Sequence, residues 1–146
     1  MIDFAHLKRV MERGSCTWYA PERLLCIDTA LLLQLDEADY NALVEWRIET
    51  RSDYYDAVET LSRLWHRKWR KGVMVREVTR FTRSRWRLSG PDVTVYVNPY
   101  YARAFKGFEG LRLWISGTRK PVQIRDEADE LLGLLMGCEP PLGESE

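Results

Sequence analysis

At Gly72 the hydrophobic period of the chain changes, and that change limits the fold more than any other feature. From there on the sequence runs VMVREVTRF, SRWRLSG, DVTVYVN, LRLWISG and PVQIR, alternating segments divided by Gly, Pro, Asn and Asp. Alternation with a period of two buries one face only when segments pair side by side, so this half predicts a sheet. Before Gly72 the period is helical. Phe4, Leu7, Val10 and Met11 form a stripe over residues 2–13 that stops before Gly14. Asp36 stands in a cap position with Asp39 three residues on, followed by a stripe of Tyr40, Leu43, Val44 and Ile48 over residues 36–50. Ser52 opens a third predicted helix over residues 53–71, ended by Gly72.

Smaller signals fill the remainder. CTWYAPERLLCID reads as a hairpin turning at Pro21-Glu22, in which facing residues have numbers summing to 43 and Cys16 and Cys26 point to opposite faces. TALLLQL extends its second strand or adds a third. NPYYARAFKG has Asn98 in a cap place and Pro99 at the first helical position, which predicts a short helix. Asp126 opens a last predicted helix over residues 127–136, closed by Gly137. The expected fold is α+β: a mostly antiparallel sheet in the C-terminal half, helices packed on one face, and a helical N-terminal half. Residues 1–137 form one domain, and residues 138–146, which include Cys138, form a flexible acidic tail.

Charge is balanced overall and segregated along the chain. Twenty-two Lys/Arg cancel 22 Asp/Glu, which argues mildly against a dedicated nucleic-acid binder. Yet residues 63–87 carry ten cations against the single acid Glu77, whereas residues 28–60 carry nine acids against Arg47 and Arg51. The fold must neutralise that basic block internally or display it. No apolar run approaches the roughly 20 residues that span a bilayer, and the first residues lack the apolar core of a signal peptide. A soluble, cytoplasmic protein without membrane contact is expected. Three irregularly spaced cysteines fit neither a disulfide framework nor a zinc site and are expected reduced.

RLWHRKWRK, residues 63–71, looks like an aromatic and basic grip. Helical phase sends Leu64, Trp65 and Trp69 to the apolar face with Tyr54, Ala57, Val58 and Leu61, and it leaves Arg67, Arg70 and Lys71 as candidate contacts. Those cations also complement the negative end of a helix, so a solvated terminus accounts for them as well. His66 has no partner close in sequence.

A second candidate surface lies on the sheet. Trp86, Leu88, Val93, Val95, Val97, Leu111, Leu113, Ile115, Val122 and Ile124 share one face by alternation. The other face receives Arg85, Arg87, Tyr96, Arg112, Trp114, Gln123 and Arg125, with Arg119 and Lys120 in the SGTRKP turn at its edge. Aromatics beside arginines on an open sheet suit single-stranded nucleic acid, and they equally suit a protein interface. Burial of Tyr96 and Trp114 under a second layer would remove both uses.

No linear signature of catalysis is present. The chain lacks GxSxG, HExxH, CxxC, GK[ST] and GxGxxG, and neither His6 nor His66 stands at a nucleophile spacing. The acidic groups near Asp36 and Asp126 are explained by helix starts, so no metal and no cofactor is expected. A non-enzymatic binding module follows, with a protein partner first and nucleic acid as the alternative.

Overall fold

The computed structural model describes residues 2–51 and 59–140. Ser52, Tyr54, Ala57 and Val58, named above, and residues 141–146 of the expected tail lie outside the described residues. The first helix, α1 (Phe4–Arg13), begins where the Asp3 side chain accepts the His6 amide at 3.1 Å. It buries Leu7, Val10 and Met11. Strands β1 (Cys16–Tyr19) and β2 (Leu24–Ile27) form the expected hairpin, with Cys16 opposite Ile27 and Tyr19 opposite Leu24. The turn between them is a 3₁₀ turn, Ala20–Glu22, closed by Arg23 in the left-handed region at φ 57°. β3 (Leu31–Gln34) pairs next to β2.

Asp36 accepts the Asp39 amide at 2.8 Å and starts α2 (Glu37–Arg51). Its buried stripe is Tyr40, Leu43 and Arg47, whereas Ile48, expected in the core, is exposed. The face is turned because the Arg47 guanidinium, 2% exposed, reaches back to the end of α1 and donates to the carbonyls of Met11 and Gly14. A helix end has unsatisfied carbonyls, and a buried cation answers both that need and the helix dipole.

α3 (Glu59–His66) is shorter than the helix expected to reach residue 71. After it come β4 (Val73–Met74), β5 (Glu77–Thr79), β6 (Trp86–Gly90) and β7 (Val93–Val97). Asn98 caps α4 (Pro99–Ala102) by accepting the Tyr100 amide, and a 3₁₀ stretch, Arg103–Phe108, follows. β8 (Arg112–Ile115), β9 (Val122–Arg125) and β10 (Leu131–Leu135) complete the chain.

Every strand pair is antiparallel. Seven strands form one sheet in the order β1-β2-β3-β10-β9-β8-β4, and β5-β6-β7 form a second. The N-terminal half therefore supplies three strands and is not the helical half expected. The larger correction is β10: residues 127–136 are not a helix but a turn and a central strand between β3 and β9. Asp126 does bond the Glu130 amide, at 2.9 Å, yet that bond closes a hairpin turn with Asp129 at φ 65°. Leucines favour helix locally, and pairing on both sides overrides that preference.

One core joins the two sheets. Trp18, Leu25, Ile27, Leu33, Leu113, Ile115, Val122 and Ile124 of the large sheet meet Trp86, Leu88, Val95 and Val97 of the small one, with α1, α2 and Phe105 filling between. A smaller cluster lies on the other face of the large sheet, where Leu61 and Trp65 of α3 cover Leu24, Cys26, Leu32 and Leu134. Helices thus cover both faces of the large sheet. Cys16 joins the first cluster and Cys26 the second, as the hairpin register requires.

β4 and β5 belong to different sheets although only Val75 and Arg76 separate them. Val73 pairs with Ile115 and Val78 with Leu88, both partners being core residues. Five positions is an odd step, so side-chain alternation slips once between them. The slip falls at the exposed pair Arg76-Glu77.

Candidate functional site

The two outer sheet surfaces separate the residues that alternation had placed on one face. Tyr96 and Arg87 belong to the small sheet, whereas Arg112, Trp114, Gln123 and Arg125 lie on the large one. Tyr96 is buried at 3% exposure. The chain beyond β10 covers that edge: the Cys138 amide donates to the Tyr96 carbonyl at 2.8 Å, and Arg85 Nε donates to the Glu139 carbonyl at 2.8 Å. Arg119 stands 3.8 Å from the Glu139 carboxylate, and Lys120 is exposed in the same turn.

On the large sheet Trp114 is half-buried beneath Lys71, whose Nζ lies 4.1 Å from the ring centre. The same ammonium binds the Asp129 carboxylate at 2.8 Å, and Arg125 contacts that carboxylate at 3.9 Å. The Lys71 hydrogen bond holds the Asp129 carboxyl below its ordinary range, with Arg125 and Arg112 adding to it. Gln123, buried, offers its carbonyl oxygen to Arg125 and donates its amide to the carbonyls of Trp69 and Arg70. These bonds draw residues 67–72 across the sheet, which is why α3 ends at His66. Lys71 and Arg125 are therefore matched by a carboxylate from the chain itself, while Arg67, lying 4.4 Å over the Trp69 ring, and Arg70 remain exposed.

A third group of cations is the densest. Residues 76–87, the residue before β5 and the hairpin through the start of β6, carry Arg76, Arg80, Arg83, Arg85 and Arg87, with Glu77 as the only acid in that stretch. The Arg80 guanidinium lies 5.1 Å over Trp86, and Arg87 lies 5.4 Å over Phe81. Stacking on a ring restrains a long side chain, and Arg80, so held, is exposed. Arg85 locks the turn from within through the Ser84 carbonyl at 2.6 Å, and Thr82 Oγ1 accepts the Arg85 amide at 3.0 Å. Phe81 is 40% exposed at the tip. Sequence alternation singled out Arg85 and Arg87 but missed Arg76, Arg80, Arg83 and Phe81; their signal was the basic block itself, broken by RFTRSR turn chemistry.

Elsewhere, Glu22, His66, His6, Tyr101 and Asp28 are hydrogen-bonded within the fold. Glu22 accepts from both Ser62 and His66. A serine that gives its proton to a carboxylate, and not to the histidine, is not arranged as a nucleophile. His6 Nε2 bonds the Tyr100 carbonyl at 2.6 Å. Tyr101 donates to Asp28 at 2.8 Å, and burial, with that carboxylate, pushes its phenol up to about 12. Among the described residues no group of three or more His, Cys, Asp or Glu gathers as a metal site, and no helix is long and apolar enough to cross a membrane. The chain matches no protein-family model, no curated protein and no solved structure.

Proposed function

We propose that the chain is a non-enzymatic binding module whose arginine-rich β5–β6 hairpin takes nucleic acid. The observation that carries this reading is the gathering of four arginines and an exposed phenylalanine on one hairpin, with Arg76 at its entry and a single acid in the stretch. Phosphate recognition needs a contiguous basic field, and the hairpin supplies one although net charge is zero. The balancing acids sit elsewhere, with Glu37, Glu45 and Glu49 exposed on α2. Phe81 offers a ring on which an unpaired base stacks, so a single strand is the expected form.

Fluorescence anisotropy with labelled single-stranded DNA, single-stranded RNA and duplex DNA tests it. With Arg76, Arg80 and Arg83 each on a phosphate, affinity for a single strand falls roughly twentyfold between about 0.05 and 0.2 M salt. Arg80→Glu combined with Arg83→Glu abolishes binding. No binding to any of the three at low salt overturns the reading.

A protein partner is the second reading, favoured by the exposed apolar residues Val78 and Phe81 beside the same arginines. It predicts a complex that survives high salt and is lost on Phe81→Ala, as read by recovery from extracts of the native host.

A further inference from the structure

Between α3 and the outer face of the large sheet lies a cavity of about 300 Å³. Leu32, Leu61, Leu134 and Trp69 form its walls, and among the described residues no charged side chain lines it. Leu64 and Met136 stand at its mouth, 37% and 43% exposed. An apolar cavity of this kind gains nothing from water, and its volume lies at the lower end of small-molecule sites. That size excludes a partner helix and admits one extended hydrocarbon chain. A cation adjoins the wall: the Arg67 guanidinium rests 4.4 Å over the ring of Trp69, a lining residue. Lys68 and Arg70 on either side of that ring are exposed. The two acids next to lining residues are engaged elsewhere: Glu59 faces Arg63 at 3.6 Å, and Asp28 accepts from Tyr101 at 2.8 Å.

We infer that this cavity binds a free single-chain carboxylic acid, its hydrocarbon against Leu32, Leu61 and Leu134 and its carboxylate at Arg67. The site is separate from the hairpin, so neither reading depends on the other. Cys26 lines the cavity and Cys16 lies in the opposite cluster, so two thiols of one hairpin report on filled and unaffected faces.

The 146-residue chain carrying Cys138→Ser is treated with N-ethylmaleimide in the presence of octanoate or 1-octanol, modification at each thiol is followed by mass spectrometry, and affinity by titration calorimetry. Octanoate is expected to bind saturably and slow modification of Cys26 at least about fivefold, leaving Cys16 unchanged. Arg67→Glu weakens octanoate by about fivefold or more without weakening 1-octanol. Thr60→Trp or Leu64→Trp, each filling the mouth from α3, removes binding of both. Absence of saturable octanoate binding, equal affinity for the alcohol, or octanoate affinity unmoved by Arg67→Glu overturns the inference.

Discussion

Gly72 stands where the chain leaves the outer face of the large sheet and enters β4. Its φ is 76°, and a Cβ placed there would lie 2.0 Å from the Ile115 carbonyl oxygen. That atom is backbone, and its residue pairs with Val73 in the sheet, so it yields less readily than the end of a flexible side chain. Gly72→Ala is expected to cost about 3 kcal/mol or more, combining left-handed strain with the clash, as read from urea unfolding. The glycine was legible in the sequence as punctuation, but its cause was not, because the obstructing oxygen is 43 positions away along the chain. Arg47 was illegible for a similar reason: no local pattern marks an arginine that caps a helix from another element. Glu22 yields a prediction in pH. The Ser62 hydrogen bond, aided by His66, holds its carboxyl below the ordinary 4.5, against the upward pull of burial. Its contribution is present above the unfolded value and is lost as pH falls through the lowered folded value. Glu22→Gln should therefore flatten the decline of the unfolding midpoint below about pH 4.5 relative to wild type; parallel curves would contradict the assignment.

At the level of elements, hairpin register and most strands were legible because turn residues and alternation are local signals. The final strand was not. Leu131, Leu132, Leu134 and Leu135 fit a helical face as readily as a strand buried on both sides. Gly133 held the missing information: a Cβ there would meet the Phe105 ring at 2.9 Å, an approach that a central strand makes and a mid-helix glycine does not explain. The segment after α3 was misread because its determinant, the Gln123 amide, lies on β9. Gln123→Leu should leave the Trp69 and Arg70 carbonyls without that donor and cost about 1–3 kcal/mol. Hydrogen exchange should rise at residues 67–72 and stay unchanged in β1 and β2. Uniform change across the sheet would mean that the side chain acts through the core instead.

Across the whole molecule, α+β composition and antiparallel pairing were readable, whereas the division into two sheets was not, since strand alternation marks a face without saying to which sheet it belongs. That division moved the candidate surface from a single sheet face to a hairpin. It also gives residues 136–139 a role. The Met136 amide bonds Ala30 at 2.9 Å while the Cys138 amide bonds Tyr96, so a short stretch ties the large sheet to the small. Ending the chain at Gly137 removes the Tyr96 and Arg85 contacts and is expected to cost about 2 kcal/mol. Amide protection should drop in β7 first, with β3 and β9 retaining theirs; equal loss everywhere would argue against a strap.

The strand that passes from β4 to β5 leaves an open edge on both sheets, a geometry that invites addition of another chain and growth of fibrils. The slip at Arg76-Glu77 turns Met74 and Val78 to opposite faces and puts charge between them. An incoming strand would find no continuous greasy stripe to zip against along β4 and β5.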